Sequence, residues 1–175
     1  MGPLIVVVAA LGALLLFFAT KAGGATVKEP VPKGTGGNTL DGIINSNAAR
    51  YGVEVALLKA VIRTESNFNA GAVNPASSGN AFTSYGLMQI TPILGQEYGI
   101  VKEYQNVTEP EISMLMQPET NVRIGAWYLG RLLSKYPFDA AIQMYNLGET
   151  GYNSGRRNED YLTKVKRYYN EYKPD

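Results

Sequence analysis

From Leu40 onward the apolar residues return at the 3.6-residue period of an α-helix, and no other feature limits the fold as strongly. Leu40, Ile43, Ile44 and Ala48 fall at i, i+3, i+4 and i+8, and Tyr51-Gly52 supplies a glycine stop. A second stripe, Leu57, Leu58, Val61 and Ile62, comes directly after it. Val122, Ala126, Leu129 and Leu133 make a longer one, broadened by Ile124, Trp127 and Leu132. Gly125 and Gly130 within it each cost about 1 kcal/mol relative to alanine, which predicts close approach by a neighbouring helix. Helix starts are marked by Thr91 before Pro92, by Thr108 before Glu109 and Glu111, and by Asn158 before Glu159 and Asp160. Phe138 to Asn146 reads as a short apolar helix, and the last helix turns Tyr161, Val165, Tyr168 and Tyr172 inward. Alternating, strand-like runs are scarce. The predicted fold class is mainly α, with one compact domain over residues 39–175.

Residues 1–20 are a separate object. Pro3 to Ala19 carries no charge. At about 1.5 Å per residue the run spans roughly 25 Å, a little short of a ~30 Å hydrocarbon core. Thr20, Ala22 and the stem of Lys21 extend it, with the Lys21 ammonium snorkelling to the interface. The expectation is a single N-terminal transmembrane helix. A cleaved signal peptide is the rival, with Gly23-Gly24-Ala25 as its cleavage site, but no basic residue precedes the run. Lys21, Lys28 and Lys33, against Glu29 alone, would hold the C-terminal domain on the cytoplasmic side, so a domain acting outside must override the charge rule. Residues 21–38, rich in Gly, Pro and Lys, form a flexible linker. Their Gly34-Thr35-Gly36-Gly37 stretch is not a phosphate loop, because no buried strand precedes it and no Gly-Lys-Ser/Thr comes after it.

The chain contains no cysteine and no histidine. This removes disulfides, Cys nucleophiles, Ser-His-Asp triads and zinc sites built on Cys or His. No metal or cofactor is expected. Acid-base work near neutrality then falls to Asp, Glu, Lys or Tyr. A net charge of +1 gives no support to nucleic acid as a partner. Twelve Tyr against five Phe fits either a groove for sugars or peptides, or amphipathic packing at the edge of the core.

Glu65 stands out among the carboxylates. It lies seven, four and three residues beyond Leu58, Val61 and Ile62, on the buried side of its own helix. It also falls in the last turn, where the helix dipole opposes negative charge. Desolvation and dipole together raise its pKa, and a carboxyl that stays protonated near neutrality can act as a general acid. The same placement suits an edge carboxylate paired with Arg63 or a more distant arginine, and the helix alone leaves both readings open.

Further along, Gly86-Leu87-Met88-Gln89-Ile90 sits between a polar loop and the Thr91-Pro92 helix start, and Tyr145-Asn146 with Gly148 ends a helix. A buried turn and a simple helix stop would explain each alone. Taken in order, four separated motifs resemble the lytic transglycosylases of the soluble-lytic-transglycosylase (SLT) type, which have a lysozyme-like fold. They are Ala60-Val61-Ile62-Arg63-Thr64-Glu65-Ser66, then Gly86 to Ile90 with Pro92, then Asn121 to Leu129, then Tyr145-Asn146 with Gly148 ahead of Tyr161 and Val165. The resemblance covers about residues 40 to 172.

The resemblance implies that Glu65 is the sole catalytic acid and base, with Ser66 beside it. It implies that Met88 and Gln89 line the groove, that Tyr145 and Asn146 face the cleaved sugar, and that Tyr161 stands near the catalytic centre. The substrate implied is the glycan strand of peptidoglycan, cut between N-acetylmuramic acid and N-acetylglucosamine with closure of a 1,6-anhydro ring. This chain departs from the pattern in several places. Gly86 lies 21 positions beyond Glu65, which inserts an Asn/Ser-rich loop beside the cleft. Asn74 replaces a frequent serine, and Met144 and Leu147 replace alanines around Tyr145-Asn146.

Most glycosidases use two carboxylates, yet no Asp or Glu lies between Glu65 and Glu97. That absence suits a transglycosylase, which needs no second base to activate water. A goose-type lysozyme of the same fold is the enzymatic alternative, its second carboxylate coming from Glu97, Glu103 or Glu149. A membrane-tethered wall-binding or assembly protein without turnover is the non-enzymatic one. An anchor, a linker and a bare catalytic domain suit local wall opening by a bacterial envelope complex or by a phage virion, with the domain facing the peptidoglycan.

Overall fold

The structure, a computed structural model, describes residues 9–10, 13–14, 39–76 and 82–174. Of the N-terminal segment it describes two short strands, β1 (Ala9–Ala10) and β2 (Ala13–Leu14), paired antiparallel with Ala9 opposite Leu14. At these four residues the backbone is extended rather than helical. The rest of the expected membrane helix, and the linker over 21–38, lie outside the described residues. Among the described residues no helix is long and apolar enough to cross a membrane.

Among the described residues the domain is built from seven α-helices with one small hairpin. α1 (Leu40–Tyr51) and α2 (Val55–Ser66) come first, then β3 (Val73–Asn74) and β4 (Ser84–Tyr85), paired antiparallel. Next in the chain are α3 (Pro92–Tyr98), a 3-10 turn (Tyr104–Asn106), α4 (Glu109–Met116), α5 (Pro118–Lys135), α6 (Phe138–Asn153) and α7 (Glu159–Tyr172). The mainly α expectation holds, with strand confined to the hairpins.

The cap residues act as read from the sequence. Gly52 ends α1 at φ 64. Thr91 accepts from the Leu94 N–H at 3.3 Å, and the Asn158 side chain from the Tyr161 N–H at 3.0 Å. Thr108 and Glu111 form a reciprocal capping box. Bonds from the Thr108 hydroxyl and from the backbone N–H groups of Lys102 and Thr108 hold the pKa of the Glu111 carboxyl down at about 2.

The core gathers Ile44 and Ala48 of α1, Leu58, Val61 and Ile62 of α2, Val122, Ile124 and Leu129 of α5, and Val165 of α7. A smaller cluster of Tyr128, Leu132, Ala141 and Met144 fills the space between α5 and α6. The two helix glycines serve different neighbours. A Cβ on Gly130 would stand 2.4 Å from the Tyr51 carbonyl of α1, so here one helix does approach another's backbone. Gly125 instead receives the Met88 side chain, whose sulfur would lie 2.4 Å from such a Cβ.

Two expectations need correction. α6 runs beyond Asn146 to Asn153, broken at Gly148, whose φ 71 and ψ 154 are non-helical and place the next residues on a new course. The buried face of α7 is Tyr161, Leu162, Val165 and Tyr169, whereas Tyr168 is half-buried. Tyr168 meets the Arg63 guanidinium, 4.0 Å from its ring centroid.

Candidate active site

Glu65 occupies the last turn of α2, which packs along α7 more extensively than any other pair of helices. That packing brings the Tyr161 hydroxyl to the Glu65 Oε1, to which it donates at 2.6 Å. Arg63 does not take the carboxylate. It turns outward to Glu171 at 2.6 Å and to the Tyr168 ring. Among the described residues no basic side chain pairs with Glu65. Although the residue opens in part onto a groove, protein encloses its carboxyl. Desolvation therefore pushes its pKa up to about 7, and the Tyr161 hydrogen bond only partly opposes the rise. Such a group exchanges a proton near neutrality.

Tyr145 lines the same groove, close enough to feel the Glu65 charge. Burial, and then the Glu65 charge, raise the phenols of both Tyr145 and Tyr161 well above the usual value. Both thus remain hydrogen-bond donors at any ordinary pH. Tyr145 donates to the Met88 carbonyl at 3.0 Å.

The Gly86–Gln89 turn is pinned from three helices. Ser66 of α2 donates to the Leu87 carbonyl at 2.8 Å. Asn121 of α5 is fully buried. Its Oδ1 accepts from the Met88 N–H, and its Nδ2 donates to the carbonyls of Tyr85 and Leu115, each at 2.7 Å. Gly86, at φ 74, leaves room for that amide, since a Cβ there would lie 2.5 Å from the Asn121 Nδ2. Tyr145 of α6 completes the set through the Met88 carbonyl.

The groove has a volume of about 690 Å³. Its lining includes Glu65, Asn74, Ser84 and Gln89, together with Tyr145, Asn146 and Leu147 of α6. Its further reach is bounded by Ile93, Leu94 and Glu97 of α3, by Tyr128, Arg131 and Lys135 of α5, and by Glu149 to Gly151 after the α6 break.

Of the residues singled out from the sequence, Glu65, Gln89, Tyr145 and Asn146 face this groove and Tyr161 touches Glu65 from behind. Gln89, at φ 50, has its amide tied to Ser84 at 2.9 Å and to the Gly86 carbonyl at 2.9 Å. Asn146 is exposed and accepts from Asn158 at 2.8 Å. Ser66 supports the turn rather than the groove. Met88 does not line the groove with its side chain, which is fully buried against Gly125, and offers only its carbonyl, to Tyr145.

Two features had no signal of their own in the sequence. Asn121 belongs to a motif but gave no sign of its clamp. Arg131 bonds to both Glu97 and Glu149, acids separated from it by 34 and 18 residues, with no local pattern to join them. Among the described residues no group of three or more Asp, Glu, His or Cys is placed to hold a metal ion.

Helices packed around a groove, with one enclosed carboxyl that has no cationic partner among the described residues, describe a helical domain built to exchange a proton in a cleft. The chain belongs to the transglycosylase SLT domain family, whose model matches residues 42–168. Relatives include the membrane-bound lytic murein transglycosylase C of Yersinia pestis (strain Pestoides F) and that of Yersinia pseudotuberculosis serotype O:1b (strain IP 31758). Each is 35% identical over 95 residues, which is 54% of this chain and 24% of the relative. The chain therefore corresponds to about a quarter of those relatives' length. An inactive mutant of the lytic transglycosylase Slt from Pseudomonas aeruginosa has the same fold. The match has a TM-score of 0.55 at 21% identity and covers 74% of this chain and 23% of that one.

Proposed function

We propose that this chain is a membrane-tethered peptidoglycan lytic transglycosylase in which Glu65 is the only proton-transfer group. The observation that carries this reading is the Glu65 carboxyl itself, enclosed, without a basic partner, and with its pKa raised to about 7. The protonated carboxyl donates to the glycosidic oxygen between N-acetylmuramic acid and N-acetylglucosamine. The acetamido group of the substrate stabilises the cationic C1. The Glu65 carboxylate then takes the proton of the muramic C6 hydroxyl as that oxygen closes onto C1. The product is a 1,6-anhydro end, and no water is consumed.

The remaining residues have supporting roles in this scheme. Tyr161 orients the carboxyl, Tyr145 and Asn146 face the cleaved sugar, and Gln89 borders the groove. The names of the relatives support peptidoglycan as substrate and a membrane tether, for which the uncharged run from Pro3 to Ala19 is suited. Partners of the tethered domain would be components of an envelope complex or of a phage virion.

A hydrolytic reading draws on Glu97 and Glu149, which also line the groove. Both are bonded to Arg131, and Glu149 also to the Tyr136 hydroxyl, so a hydrolytic role would have to be played from within this ion-pair network.

Mass spectrometry of digested sacculi separates the two. Anhydro-muramic ends are expected, and predominantly reducing muramic ends would overturn the proposal. Glu65→Gln is expected to lower turnover about a thousandfold or more with the fold intact, the range of a lost general acid.

A further inference from the structure

The Arg131 cluster lines the groove but has no part in the proton-transfer scheme. Arg131 rises from α5 between two walls of the groove. One of its terminal nitrogens bonds to Glu97 on α3, and the other to Glu149, just past the α6 break, at 3.3 Å. The second Glu149 oxygen accepts from the Tyr136 hydroxyl at 2.8 Å. The guanidinium carbon lies 4.9 Å from the Trp127 ring centroid and 5.1 Å from that of Tyr128, so aromatic faces hold the fork in place. The planar fork offers a separate donor to each carboxylate at fixed spacing, a geometry that a lysine ammonium reproduces only in part. Solvent reaches about a quarter of each of the Arg131 and Glu149 side chains, so this arm is less screened than an ordinary surface pair, whereas the Glu97 side chain is 36% exposed.

Glu149 is brought to this position by the backbone. Gly148 leaves helical geometry immediately before it, so residues 149–151 run along the groove instead of continuing the first part of α6. Without Arg131, α3 would keep its packing through Leu94, Gly95 and Tyr98 but lose its link to the Gly148–Gly151 segment, so the spacing between the two would no longer be fixed by an ion pair. Without Arg131 the two carboxylates would also repel each other.

We infer that Arg131 is a positioning residue that ties the α3 wall to the post-Gly148 wall and so sets the width of the groove for an extended glycan strand. The identity of the ligand rests on the proposed transglycosylase function. The tie itself does not, and it acts at a distance from the proton on Glu65. Its loss weakens strand binding far more than it slows the bond-breaking step.

The test uses the full chain. Binding of purified glycan strands is measured on the Glu65→Gln variant with and without Arg131→Met, which keeps a stem over Trp127 and Tyr128 but removes the charge. The expected result is a roughly tenfold rise in Kd, with partial recovery in Arg131→Lys. In the active chain KM should rise by a similar factor while kcat changes less than about threefold. Hydrogen exchange should quicken at the backbone of residues 94–98 and 149–151 and not in α2. Glu97→Gln, a milder change, should move Kd in the same direction by a smaller factor and guards against an unfolded Arg131 variant. An unaltered Kd in both variants, or a fall in kcat at constant KM, would overturn the tie. A parent chain that yields no anhydro products but binds strands in an Arg131-dependent way would overturn the proposed reaction and leave the tie standing.

Discussion

Glu65 concentrates the cost and the use of the site in one side chain. Because burial raises its folded pKa above its unfolded value, the native protein binds a proton that the unfolded chain releases. Stability from this group is therefore full below the unfolded pKa of 4.5 and is lost as the pH climbs to about 7. The slope is at most about 1.4 kcal/mol per pH unit, and less here because the residue is partly open to water. Glu65→Gln keeps an acceptor for Tyr161. It should match the parent in denaturant unfolding at pH 4 and exceed it by about 1–2 kcal/mol at pH 8. Activity has the same sign: kcat/KM should decline as pH rises through about 7, because the protonated acid starts the reaction. Tyr161→Phe removes the one bond that favours the charged form. It should displace that decline upward by about half a pH unit, an outcome read directly from the pH–rate profile.

At the scale of elements, packing between helices explains where glycine is required. Gly130→Ala would drive a Cβ into the Tyr51 carbonyl, a backbone atom with little freedom to yield. It should cost about 2 kcal/mol or more in urea unfolding. Gly52→Ala, at an open left-handed cap, should cost only about 1 kcal/mol. Such features differ in how far a sequence reveals them. Thr91, Thr108, Asn158 and Gly52 act on backbone groups within one turn, so their pattern was readable. The inner placement of Glu65 came from three-residue and four-residue spacing on α2. The direction of Met88 was not readable, because it depends on positive φ at Gly86 and Gln89 and on the space left by Gly125, a neighbour in space but distant in sequence. On α7 adjacent tyrosines at 168 and 169 offered the period two equivalent registers, and packing selected Tyr169, whose hydroxyl reaches Glu54 at 2.7 Å. Arg131 could be recognised only once α3, α5 and α6 had been assembled.

For the whole molecule, residues 39–174 contain the core, the groove and the bond between Glu65 and Tyr161. A chain starting at residue 39 should thus keep the parent's Tm and its activity on isolated sacculi. It should lose co-flotation with membrane vesicles in a density gradient, which the proposed tether confers on the parent. The Glu65–Tyr161 bond joins positions 96 residues apart, and it forms only when α7 docks on α2. During synthesis the acid emerges long before the phenol that orients it. A nascent or prematurely terminated chain therefore carries the reactive carboxyl without its setting. The candidate site is in this way incomplete until α7 has been made and docked.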